Sequence, residues 1–210
     1  MADYTEIINA IISCDIDGVP SLVQKALDAG SPAGEILNAG LITAMDTVGE
    51  KMQSGDMFIP EVLMAAQAMA SGVSILKPLL SEGDSNSAGK VVIGTVKGDL
   101  HDIGKNLVSM MVESAGFEVI DLGVDVEPQA FVNTIKEQNA QFLGLSALLT
   151  TTMPMMKETI EAVTEAGLRE QVKILVGGAP VTDAFAKEIG ADAYAPDAGS
   201  ASKALKEMAA

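Results

Sequence analysis

His101 is the only histidine in the 210-residue chain, and Asp99 stands two positions before it in Gly94-Thr95-Val96-Lys97-Gly98-Asp99-Leu100-His101-Asp102-Ile103-Gly104-Lys105-Asn106. In an extended loop that spacing lets the carboxylate orient the ring through one nitrogen while the other points outward, which is how metal-ligating histidines are commonly held. Gly98 and Gly104 flank the pair and permit tight loop geometry close to a ligand. A lone histidine between acids is equally well an ordinary surface residue. The segments around it therefore have to decide between the two readings.

Two further segments bear on that decision. Ser146-Ala147-Leu148-Leu149-Thr150-Thr151-Thr152 is rich in hydroxyls, which taken alone can simply cap a helix. Gly177-Gly178-Ala179-Pro180 offers small residues that leave room for a bulky group beside the backbone, although a Gly-Gly turn is common.

The elements that must position these residues follow from periodicity. Val91-Val92-Ile93 is an unbroken β-branched run of the kind found in a doubly covered parallel strand. Leu107, Val108, Met110, Met111 and Val112 then give a helical apolar face that stops at Ala115-Gly116. His101 is thus expected in a strand-to-helix loop at the carboxyl edge of a sheet, where open α/β sheets bind ligands. Strands are expected over 91–96, 117–122, 142–149, 173–176 and 193–195. Helices are expected between them, with the last from 198, which makes a parallel sheet wound on both faces.

Upstream, apolar residues recur at three and four positions in four groups: Ile7 to Ile12, Val19 to Leu27, Ile36 to Met52 and Val62 to Leu79. Breaks fall at Asp17-Gly18, Gly30-Ser31-Pro32 and Ser54-Gly55-Asp56, with Pro60 suited to a helix first turn. The expected organisation is a four-helix bundle over 1–80, a linker of turn formers over 81–89, and a flavodoxin-like five-stranded α/β domain over 90–210.

The net charge is −16, with a sequence pI near 4.2, and both 1–88 and 89–210 are acidic. Such a surface repels phosphate backbones and anionic lipid, so no nucleic-acid or membrane partner is expected. No run approaches about 20 uninterrupted apolar residues, and the first residues lack a secretory pattern, so the expected location is cytoplasmic. Cys14, the single cysteine, allows no disulfide within the chain and reads as a buried structural thiol.

Taken together, Asp99-Leu100-His101-Asp102-Ile103-Gly104, Ser146-Ala147-Leu148 and Gly177-Gly178 resemble the signature Asp-x-His-x-x-Gly, Ser-x-Leu, Gly-Gly. That signature marks the cobalamin-binding domains of methionine synthase, corrinoid methyl-carrier proteins and cobalamin-dependent mutases. The intervals of 41 residues between Gly104 and Ser146, and of 28 between Leu148 and Gly177, also look like the family's.

The resemblance implies cobalamin bound with its own base displaced and His101 as the cobalt ligand. Asp99 would be its hydrogen-bonding partner, and Thr152 would stand where the family often has a serine leading the chain to solvent. Leu100, Asp102, Ile103 and Gly104 would contact the cofactor. Ser146, Leu148, Thr150, Gly177, Gly178 and Ala179 would line the slot for its nucleotide tail, with Tyr194 and Asp197 closing over it. Phe58, more often core on composition alone, would shield the methyl group from above.

The preceding bundle makes the chain similar to the stand-alone carriers of methylamine, methanol or methoxy-compound systems. It argues against the subunit of an adenosylcobalamin mutase, and the lack of a basic module argues against a cobalamin-dependent sensor. The implied function is to carry a methyl group, as methylcobalamin, from a substrate-specific methyltransferase to a second one acting on coenzyme M or tetrahydrofolate. A reductive activase would serve it, and the linker would act as a hinge.

Overall fold

The computed structural model describes residues 3–80 and 88–210, so most of the expected linker lies outside the described residues. The chain forms two compact units, one of Met1–Asn86 with Ser114–Gly116 and the other of Ser87–Glu113 and Phe117–Ala210.

In the first unit, α1 (Thr5–Ile12) and α2 (Gly18–Asp28) precede α3 (Ala33–Glu35). That short helix runs through a π-helical segment, Ile36–Ile42, into α4 (Thr43–Ser54). Thr43 Oγ1 donates to the Asn38 carbonyl five residues back at 3.0 Å, and the buried Ile36 and Leu41 are also five apart. This wider turn was not expected from the sequence, because a spacing of five looks like a lapse in a period of 3.6. Helix α4 ends at Gly55, whose left-handed φ of 81° glycine adopts without strain.

Helix α5 (Ile59–Leu76) is followed by one 3-10 turn, Lys77–Leu79. By length and mean hydropathy (1.4), Ile59–Leu79 could cross a bilayer. Glu61, Gln67 and Ser71 nevertheless interrupt its apolar run. Its buried residues Val62, Ala65, Ala66, Met69 and Leu76 recur at helical spacing and form the interior of the bundle. A Cβ on Gly72 would lie 2.9 Å from Val19 Cγ1 and 3.2 Å from Leu41 Cδ2, so glycine there permits close packing of α5 on its neighbours.

Phe58 caps α5 with its N–H donating to Glu61 Oε2 at 2.8 Å, and at 68% exposed it is no core residue. Cys14 departs from expectation: it sits past α1 with φ 61°, only half-buried, its thiol donating to the Glu61 carbonyl at 3.4 Å. Burial, and then Glu61, push that thiol's pKa up.

The second unit alternates strand and helix throughout. Its elements are β1 (Lys90–Thr95), α6 (Ile103–Ser114), β2 (Glu118–Asp121), α7 (Pro128–Gln138), β3 (Phe142–Ser146), α8 (Met153–Glu165), β4 (Lys173–Gly177), α9 (Asp183–Glu188), β5 (Ala193–Ala195) and α10 (Ala198–Ala209). All pairings are parallel, in the order β2-β1-β3-β4-β5, the doubly wound order whose switch point lies between β1 and β3.

Thr95, Ser146, Gly177 and Ala195 stand level across four strands, so the loops after them share one edge. The third strand is shorter than expected. It stops at Ser146, and Leu148 and Leu149, although apolar, belong to the loop. Val92, Phe131, Leu143, Met156 and Ile174 are among the buried side chains of the core. Gly89, expected in the linker, already belongs to this unit: its carbonyl accepts from Glu118 N–H at 3.0 Å, and a Cβ there would meet the Phe142 ring at 2.7 Å.

Candidate functional site

Beyond β1 the chain turns at Gly98, φ 81°, and buries Asp99 completely. Asp99 Oδ1 accepts from the His101 ring Nδ1 at 2.7 Å and from the His101 backbone N–H at 3.1 Å. Its Oδ2 accepts from the N–H groups of Leu148 (2.7 Å) and Leu149 (3.3 Å) and from the Thr152 hydroxyl (2.7 Å). Burial alone would raise the pKa of this carboxyl. Hydrogen bonds from Thr152, the His101 ring, the Leu148 amide and the His101 amide outweigh it and hold the group well below the usual carboxylate range.

An ionised carboxylate has no proton to donate, so the proton shared with the imidazole sits on Nδ1. In the neutral ring that leaves the Nε2 lone pair free, on a side chain that is half exposed.

The loop is fixed from other sides as well. Thr95 Oγ1 donates to the His101 carbonyl at 2.9 Å. The loop after β2 reaches across: Asp125 N–H donates to the Asp99 carbonyl at 3.0 Å, and Gly98 N–H donates to Asp125 Oδ1 at 2.7 Å. Asp102 starts α6, its carbonyl accepting from Asn106 N–H at 2.7 Å and its Oδ2 from Asn106 Nδ2 at 3.1 Å. Lys105 is buried and pairs with Asp121 at the end of β2. Sequence spacing could not reveal Thr95, Asp125 or Lys105, because their partners are 6 to 27 residues away and meet only in the folded sheet.

The other expected residues divide. Around the imidazole, Leu100 (71%), Ile103 (81%), Leu148 (42%) and Leu149 (41%) are exposed apolar side chains, and a Cβ on Gly104 would meet nothing within 4 Å. Thr150 and Ala179 are exposed, while Ser146 and Gly177 are half-buried at the same edge. Thr152 is almost fully buried, and its hydroxyl reaches Asp99 Oδ2 (2.7 Å) and the Leu149 carbonyl (2.9 Å).

At Gly178 φ is 132° and a Cβ would fall 1.9 Å from the Ala147 carbonyl oxygen, so glycine there lets the loop after β3 approach this backbone closely. Tyr194 packs against the core of the sheet. Asp197 caps α10, its carboxylate accepting from Ser200 N–H at 2.7 Å and Ser200 Oγ at 3.0 Å.

The family model described as a B12 binding domain matches residues 89–206, and a second B12 binding domain model matches residues 4–77. The chain belongs to the B12-binding family. This B12-binding chain is 49% identical over 206 residues to the dimethylamine corrinoid protein 1 of Methanosarcina acetivorans, covering 98% of this chain and 96% of that one. Its fold matches a cobalamin-binding protein from Desulfitobacterium hafniense with TM-score 0.84 and 34% identity, over 98% of both chains. It also matches the methanol:cobalamin methyltransferase complex of Methanosarcina barkeri with TM-score 0.85 and 30% identity, over 97% of this chain and 78% of that one.

Cobalamin, the family's cofactor, suits the donors on this edge. Among the described residues no group of three or more histidine, cysteine or acidic side chains could hold a bare metal ion. A single imidazole within an apolar rim instead suits a metal that arrives already held by a flat ring and needs one further ligand.

Proposed function

We propose that this protein is a corrinoid methyl carrier, in which His101 Nε2 would be the protein's ligand to cobalt. Support comes from one observation above all: the lone imidazole is pinned through Nδ1 by a buried, ionised Asp99 while its other nitrogen stays free beside exposed apolar side chains. The names of the relatives, which include dimethylamine and methanol systems, support a methyltransferase partner. We take a methylamine-class donor as the first to test. The acceptor methyltransferase, acting on coenzyme M or tetrahydrofolate, the reductive activase and a cytoplasmic setting belong to the same proposal.

Bound cobalamin supplies a cobalt centre that takes up and gives up a methyl group. The chain's part is to present Nε2, keep the proton on Nδ1 and hold Asp99 ionised through the Thr152 hydroxyl and the Leu148 and Leu149 amides. A proton at Nε2 would compete with the metal for the same lone pair. Ser146, Leu148, Thr150 and Gly177 are proposed to contact the cofactor.

The test is methyl uptake. Loaded protein, reduced and mixed with dimethylamine and its methyltransferase, should acquire a methyl group and pass it on to a thiol or folate acceptor enzyme. Rearrangement of an acyl substrate with adenosylcobalamin, or light-triggered assembly without methyl uptake, would instead favour a mutase or sensor.

A further inference from the structure

We infer that Thr95 is a positioning residue for the ligand histidine, clamping the His101 carbonyl while Asp99 holds its N–H. The inference rests on His101 being the cobalt ligand.

Thr95 is the last residue of β1 and is fully buried. The loop after β2 holds its backbone, with N–H donating to the Gly123 carbonyl at 2.9 Å and carbonyl accepting from Val126 N–H at 3.0 Å, and on the other side Thr95 stands level with Ser146 in β3. A threonine side chain has few rotamers in such a setting, so its hydroxyl points in a fixed direction. That hydroxyl donates to the His101 carbonyl at 2.9 Å.

The His101 main chain is therefore held at both ends by side chains, with N–H on Asp99 Oδ1 and C=O on Thr95 Oγ1. The peptide after His101 is where the extended loop becomes the first turn of α6, since the carbonyl of the next residue, Asp102, accepts from Asn106 N–H. With the Thr95 bond gone, that peptide can rotate and carry the ring away from the orientation in which Nδ1 meets Asp99. Asp99 fixes which nitrogen is free. Thr95 fixes where that nitrogen points, at no cost in reorganisation when the metal arrives.

The test compares Thr95→Val and Thr95→Ala, which remove the donor, with Thr95→Ser, which keeps it. Each variant and wild type is grown on 15N-histidine, loaded with cobalamin and reduced to the paramagnetic cobalt(II) state. Electron paramagnetic resonance then gives the ratio of histidine-bound to histidine-free cobalt from the nitrogen splitting. We expect the ratio to fall about fivefold in the valine and alanine variants and to stay near wild type in the serine variant. A merely structural role would lower the apoprotein's melting temperature without moving the ratio. A folded valine or alanine variant with the wild-type ratio overturns the role of Thr95 while leaving the ligand assignment standing. Absence of histidine splitting in wild type itself overturns the ligand assignment and this inference with it.

Discussion

Residues 3–80 and the segment around the imidazole bury different things. In the helical unit the described buried side chains are apolar, the Tyr4 phenol excepted. Between residues 95 and 152, by contrast, Thr95, Asp99, Lys105 and Thr152 are buried and each has a hydrogen-bonding or ionic partner. An apolar interior is judged by volume and shape, so conservative exchanges cost little. A buried polar group has one satisfactory geometry, and losing one partner leaves another stranded. The buried interior of the helical unit is accordingly expected to respond to mutation through stability alone. The polar segment should respond through stability and ligand presentation together.

Leu41→Ala should produce the largest stability change without touching the ligand. Leu41 is fully buried against the position of Gly72, and its truncation should lower stability by about 3–4 kcal/mol in denaturant titrations. The histidine splitting of the loaded protein should be unchanged. Any weakening of histidine ligation would erase the contrast between the two regions.

Asp99→Asn should cost about 2–3 kcal/mol, because an amide NH2 would face the N–H and O–H donors that now converge on the carboxylate. It should also weaken histidine ligation by about 10–100-fold. The pH dependence has a definite sign. A carboxyl held below its unfolded value stabilises the fold fully above that value, near 3.9, and loses this contribution as pH falls through the range beneath it. Wild type should therefore lose stability steeply below about pH 4, and the asparagine variant should show a flatter acid limb. Parallel limbs would mean that Asp99 contributes nothing to acid sensitivity.

Thr152→Val should have the smallest effect of the three, about 1 kcal/mol, since it removes one of several donors to Asp99 Oδ2. Its effect on histidine ligation should be smaller than that of Asp99→Asn. An equal effect would move the centre of the network from the carboxylate to the hydroxyl.

The same contrast explains what could be read from the chain beforehand. The helices of the first unit and the alternation of strand and helix in the second are written in apolar periods of 3.6 and in β-branched runs, which act locally. The π segment escaped because its spacing of five between Ile36 and Leu41 fits neither pattern. The third strand ends earlier than its apolar run, because the N–H groups of Leu148 and Leu149 go to Asp99.

The Asp99 and His101 pairing was legible because two residues apart in an extended loop must lie side by side. Thr95 looked like any β-branched strand residue. Asp125 and Lys105 carry no mark of their role in their own neighbourhoods, since their partners Gly98 and Asp121 lie 27 and 16 residues away. Each gets its meaning from a partner that arrives only when distant strand ends come level.

His101 is the only histidine in the chain, so growth on 15N-histidine labels this one ring. In the cobalt(II) form of the reconstituted protein, a single axial 14N nitrogen splits the resonance into triplets. With labelled protein the account predicts that these become doublets, and that His101→Ala abolishes them. Triplets that persist in labelled protein would mean the corrinoid's own base holds the metal, contradicting the account at its centre.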